Sequence, residues 1–65
     1  TSFFFFFAQK RIREAEHLLL TTDLKSREIG ELVGYQEPNY FSYVFKKQKN
    51  LSPAIFRKQM RNSNA

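Results

Sequence analysis

Apolar residues recur at helical spacing through the first third of the chain. Between about Phe4 and Thr21, the positions Ala8, Ile12, Ala15, Leu18 and Leu19 return with a period near that of an α-helix. At 100° per residue, Ile12, Ala15 and Leu19 fall within about 60° of one another and form one stripe. Arg11, Arg13, Glu14 and His17 project elsewhere. The spacing predicts an amphipathic helix. Thr21, Thr22 and Asp23 interrupt it, because their side chains compete for backbone hydrogen bonds.

A shorter apolar set, Leu24, Ile29, Leu32 and Val33, predicts a second helix over roughly Lys25 to Val33, capped by Asp23 or by Ser26. Gly34 is suited to end it, since glycine takes the left-handed conformation without a Cβ penalty. A third helix is expected from Pro38, a residue adapted to the first helical position. It runs through Phe41, Val44 and Phe45 to about Lys49, with Asn50 as a left-handed terminator. Ser52-Pro53 reads as an N-cap and first helical residue opening a fourth helix through Ile55, Phe56 and Met60. Residues 62–65 are polar and read as a disordered tail. The fold class is all-α.

Charge sharpens this picture. Residues 1–38 hold five basic and six acidic side chains, whereas from Asn39 onward there are six basic residues and no acid. A folded half-chain that is purely cationic points to a polyanionic partner, either nucleic acid or anionic lipid. The chain has 65 residues and no cysteine, so neither a disulfide nor a thiolate metal site supports its small core. No apolar run reaches the roughly 20 residues of a membrane span. His17 stands alone among scattered glutamates, with no metal-ligand spacing and no phosphate-cradling glycine loop, which argues against an enzyme or a bound cofactor.

The middle of the chain, Glu28-Ile29-Gly30-Glu31-Leu32-Val33-Gly34-Tyr35, joins two short helices by a tight turn, the layout of a helix-turn-helix. Gly30 costs about 1 kcal/mol inside a helix relative to alanine, and close approach of the following helix would justify it. An ordered series of residues surrounds this turn. It comprises Arg11-Ile12, Ala15, Leu18-Leu19, Thr22, Glu28-Ile29, Val33-Gly34-Tyr35, Tyr40-Phe41, Phe45-Lys46-Lys47 and Ser52-Pro53 with Phe56-Arg57. In this register the chain resembles the AraC/XylS family of transcriptional regulators, specifically the C-terminal helix-turn-helix part of their DNA-binding unit. Three positions depart from the family pattern: Gly30 for the usual alanine, Ser26 for an apolar residue, and Asn50 for glycine.

The resemblance implies a linker helix, a helix-turn-helix subdomain and a short closing helix in homeodomain-like three-helix packing, over residues 8–61. It implies double-stranded DNA as partner, bacterial cytoplasm as setting, and a preceding helix-turn-helix subdomain of the same parent protein. The five phenylalanines Phe3 to Phe7 then fall where that subdomain would close. Residues 1–7 are either its aromatic remnant or an artefact. On the first helix, Phe4 and Phe5 extend the Ile12 stripe, Phe7 flanks it, and Phe3 and Phe6 point away. An exposed aromatic cluster of this kind also suits self-association.

Placing Phe41, Val44 and Phe45 inward sets Asn39, Tyr43 and Lys46 on the opposite face of the recognition helix, about residues 38–49, with Ser42 beside them. Such a helix enters the major groove at its N-terminal part. Asn39 can pair bidentately with adenine, Tyr43 offers a ring edge or hydroxyl, and Pro38 offers apolar contact. Ser42, Lys46, Lys47, Arg57 and Lys58 suit phosphate contacts, which set register. Arg57 serves equally well as an internal packing or ion-pair residue. The alternative function is a membrane- or protein-binding helical module that uses the Phe run and the basic half of the chain.

Overall fold

The structure is a computed structural model that describes residues 3–63, with side chains from Phe6 to Asn62. Four helices follow one another: α1 (Phe3–Thr21), α2 (Ser26–Leu32), α3 (Pro38–Lys49) and α4 (Pro53–Ser63). There is no strand among the described residues. The molecule measures 38 × 22 × 17 Å. Its long dimension reflects α1, whose 19 residues span about 28 Å.

Core burial follows the stripe expected on α1. Ile12, Ala15 and Leu19 are almost wholly enclosed, and they meet Ile29, Val33, Tyr35, Phe41, Phe45 and Phe56 in one cluster. Phe41, Phe45 and Phe56 pack edge to face, with ring centroids 6.0 Å and 5.4 Å apart. Such geometry aligns ring edges with ring faces and adds about 0.5–1.5 kcal/mol per pair beyond area burial. Leu32, expected on the apolar face of α2, is exposed instead. Phe6 and Phe7 are exposed as well, with their rings 5.6 Å apart. The expected directions of the Phe3, Phe4 and Phe5 side chains lie outside the described side chains.

Local chemistry sets each boundary. α1 stops where the Thr22 hydroxyl donates to the Leu18 carbonyl at 2.7 Å. α2 begins after Lys25, whose N–H donates to the Glu28 carboxylate at 3.0 Å. That is half of a capping box; lysine has no acceptor to complete it. Asp23 and Ser26, the two caps the sequence offers, do not cap α2. At its other end Tyr35 N–H reaches Gly30 O (2.8 Å) and Gly34 N–H reaches Glu31 O (3.1 Å). With Gly34 at φ 106°, this is a Schellman turn.

Gly30 has a packing reason of the kind the sequence suggested. A Cβ built there would lie 2.9 Å from both Cγ and Cδ2 of Phe41, so the glycine lets α3 cross close to α2. Asn50 closes α3 at φ 65°, donating its N–H to Lys46 O at 2.7 Å. Ser52 caps α4 through its hydroxyl, which accepts from Ile55 N–H at 3.3 Å, and Pro53 opens the helix. α4 runs to Ser63, so Asn62 and Ser63 are helical where a disordered tail was expected. Arg61, one residue before them, bonds to Asp23 and to the carbonyls of Leu19 and Thr22; residues 64–65 of the expected tail lie outside the described residues.

Candidate nucleic-acid interface

α3 presents two faces of opposite character. Phe41 and Phe45 are fully buried, which turns the arc holding Asn39, Tyr43 and Lys46 outward. All three are exposed, and Tyr43 retains 59% of its accessible surface. Ser42 and Pro38 lie half-buried at the border of this face. Pro38 supplies the first helical residue, and the preceding Glu37 accepts a hydrogen bond from Asn39 N–H at 3.3 Å. A carboxylate therefore stands beside the helix start, a signal visible in the sequence as an acid just ahead of an N1 proline.

The six cations of the second half divide into two sets. Lys49 pairs with Glu16 at 2.9 Å. Arg61 pairs with Asp23 at 3.1 Å and donates to Thr22 O at 2.7 Å. Arg57 is half-buried; its Nε donates to Leu19 O at 2.9 Å and its Nη2 to Thr22 O at 3.1 Å. Leu19 O belongs to the last turn of α1 and Thr22 O to the residue that follows it, where the helix end leaves acceptors without intrahelical donors. Arg57 thus takes the internal role that the sequence left open beside phosphate contact. Lys46, Lys47 and Lys58 are exposed, and no ion pair among the described residues engages them. Lys47 instead lies over the Tyr43 ring at 5.6 Å, with its Nζ 3.5 Å from the tyrosine hydroxyl.

Beside this face runs an open groove of about 1200 Å³ between α1, the α2–α3 turn and α3, lined by Phe7, Arg11, Tyr35, Tyr40, Tyr43 and Lys47 among others. At 100° per residue Tyr40 falls between the inner and outer faces of α3, so periodicity alone does not mark it as a site residue. Arg61, one of the six basic residues after Asn39, carries no local sign in the sequence of its contacts with Asp23 and Thr22. Among the described residues no cluster of His, Cys, Asp or Glu could hold a metal ion. No described helix is long and apolar enough to cross a membrane.

A short helix, a glycine-closed turn and a second helix with its polar face outward define a helix-turn-helix module, the class that binds duplex DNA in regulatory proteins. A family profile described as a helix-turn-helix domain matches residues 1–59. The chain belongs to that family, with a region of the AraC type. It is 44% identical over 48 residues to the HTH-type transcriptional regulator YisR of Bacillus subtilis, covering 74% of this chain and 17% of that protein. Identity, length and coverage are the same for the arabinose operon regulatory protein of Salmonella typhimurium. The chain thus spans about a sixth of the length of these relatives. Among solved structures, the C-terminal domain of the two-component response regulator yesN from Fusobacterium nucleatum superposes with a TM-score of 0.86 at 44% identity, over 88% of this chain and 55% of that one.

Proposed function

We propose that α3 is the recognition helix of a bacterial transcriptional regulator acting in the cytoplasm, and that it enters the major groove of an operator. Asn39 and Tyr43 meet base edges, with Pro38 giving apolar contact at the helix start. Ser42, Lys46, Lys47 and Lys58 hold phosphates. Arg57 is left out of that set because its donors serve α1. The observation that carries this reading is the two-faced α3, with buried Phe41 and Phe45 behind exposed Asn39 and Tyr43. Residues 8–61 form the module in this reading. The exposed Phe6–Phe7 pair is a docking surface for a preceding helix-turn-helix subdomain of the parent protein.

The test is a set of DNA titrations at several salt concentrations, on a duplex selected from a random pool and on random duplex. Lys46→Ala should weaken both and lower the salt slope by about one unit. Asn39→Ala should cost about 1–3 kcal/mol on the selected duplex, mainly at one base pair. Equal losses on both duplexes for Asn39→Ala would remove its role as a base reader. Binding to anionic vesicles that disappears on deleting residues 1–8, without salt-sensitive DNA binding, would replace this function with a membrane module.

A further inference from the structure

The groove beside the recognition face holds a chain of ring contacts that runs outward from the core at Tyr35. Arg11 lies over the Tyr35 ring at 5.3 Å. Tyr35 meets Tyr40 at 5.7 Å, Tyr40 stacks on Tyr43 at 6.4 Å and 28°, and Lys47 lies over the Tyr43 ring at 5.6 Å. The first ring is fixed. Tyr35 is buried, and its N–H is tied to Gly30 O by the turn that closes α2. The last ring, Tyr43, is the exposed one proposed to read bases. Tyr40 connects them while keeping 55% of its own surface exposed, and its hydroxyl makes no hydrogen bond to a described residue. A tyrosine this exposed adds little to the core, so its ring contacts are its principal structural contribution.

We propose that Tyr40 is a positioning residue for sequence recognition, holding the Tyr43 ring in its reading rotamer by relaying the fixed orientation of Tyr35. An exposed tyrosine on a helix has two accessible χ1 wells, near 180° and −60°. The Tyr40 ring and the Lys47 ammonium, both in contact with Tyr43, select one of them. Without Tyr40, Tyr43 keeps only the Lys47 contact and samples both wells, so part of its base discrimination is lost. The inference rests on Tyr43 being a base reader, and the experiment separates the two claims.

The chain is made as wild type, Tyr40→Ala, Tyr40→Phe, Tyr43→Ala and the Tyr40→Ala/Tyr43→Ala double variant. Each is titrated against the selected duplex and its single-base-pair substitutions, with thermal unfolding recorded in parallel. Tyr43→Ala identifies the base pair that Tyr43 reads. Tyr40→Ala should lower discrimination at that same pair by about three- to tenfold, with the salt slope unchanged. Tyr40→Phe should retain it, because the ring survives. In the double variant the Tyr40 substitution should add nothing, since a positioning residue has no effect once its target is gone. Additive losses would show that Tyr40 touches DNA itself and would overturn the positioning role, as would full discrimination in Tyr40→Ala. No effect of Tyr43→Ala at any base pair would instead sink the underlying reading of Tyr43. A χ1 coupling measurement on Tyr43 in free Tyr40→Gln protein gives an answer independent of DNA. Averaging between wells supports the relay, and an unchanged single rotamer refutes it.

Discussion

Arg57 offers the sharpest test of how the structure assigns its cations. Its guanidinium makes two charge-assisted hydrogen bonds, to Leu19 O at 2.9 Å and Thr22 O at 3.1 Å. Arg61 reaches the same two carbonyls, at 3.5 Å and 2.7 Å. Truncating Arg57→Ala therefore leaves Thr22 O well satisfied and Leu19 O with one long contact. The expected loss is that of a single half-buried hydrogen bond from a charged donor plus part of the helix-terminus interaction, about 2–3 kcal/mol. For a domain of this size, total stability is about 3–10 kcal/mol, so the melting temperature should fall by roughly 10–20 °C. Arg57→Lys should recover less than half of this, because an ammonium cannot present two donors in a fixed fork. The assay pairs helical circular dichroism on heating with DNA titrations over a range of salt, below the melting range of the variant. The salt slope should be unchanged. An unaltered melting temperature together with a slope lowered by about one unit would show that Arg57 holds phosphate, and would refute the capping argument.

Other substitutions probe the packing behind the interface. Gly30→Ala gains about 1 kcal/mol of helix propensity but forces a Cβ to 2.9 Å from the root of the Phe41 ring, where overpacking costs about 1–3 kcal/mol. Urea unfolding should show a net loss of up to about 2 kcal/mol, and a gain would mean that α2 and α3 are not in close contact. Asn50→Ala, at φ 65°, should lose about 1 kcal/mol through left-handed strain, whereas Asn50→Gly should not destabilise the fold. Phe6→Ser should leave thermal unfolding within a few degrees of wild type, since its ring is 57% exposed; a large drop would place that ring in an interface within the chain.

Much of the architecture was legible because each boundary carries its own local signal. Pro38 and Pro53 open helices, while Gly34 and Asn50 close them in the left-handed region, and none of the four depends on distant contacts. The stripe of Ile12, Ala15 and Leu19 was equally clear from periodicity. What escaped depends on contacts between residues far apart in sequence. Arg61 meets Asp23 across 38 positions, and nothing near either residue announces the pair. The start of α2 was placed within one residue, but its cap was not legible, for a different reason. Asp23 and Ser26 are good caps by type, but Glu28 reaches back to Lys25 N–H and sets the boundary between them. The outward arc of α3 followed from the buried positions of Phe41 and Phe45. The flanking role of Tyr40 needed the Tyr35 ring, which the turn brings alongside.

The division of the six cations has a consequence that charge counting alone gets wrong. If every basic residue after Asn39 met a phosphate, counterion release would contribute a slope of about −5 to the dependence of log K on log salt. The structure commits Lys49 to Glu16, Arg61 to Asp23 and α1 carbonyls, and Arg57 to α1 carbonyls. Only Lys46, Lys47 and Lys58 remain, worth a slope of about −3 at most. The triple substitution Lys46→Ala, Lys47→Ala and Lys58→Ala should therefore remove roughly two to three units of slope. Lys49→Ala should change it little and cost about 1 kcal/mol of stability at most, because a single pair that stays partly solvated contributes weakly. Arg61→Ala should lower stability and leave the slope alone. A slope that falls as much for Lys49→Ala as for Lys46→Ala would mean that the Glu16 pair opens on DNA, and that the free protein does not fix which cations bind.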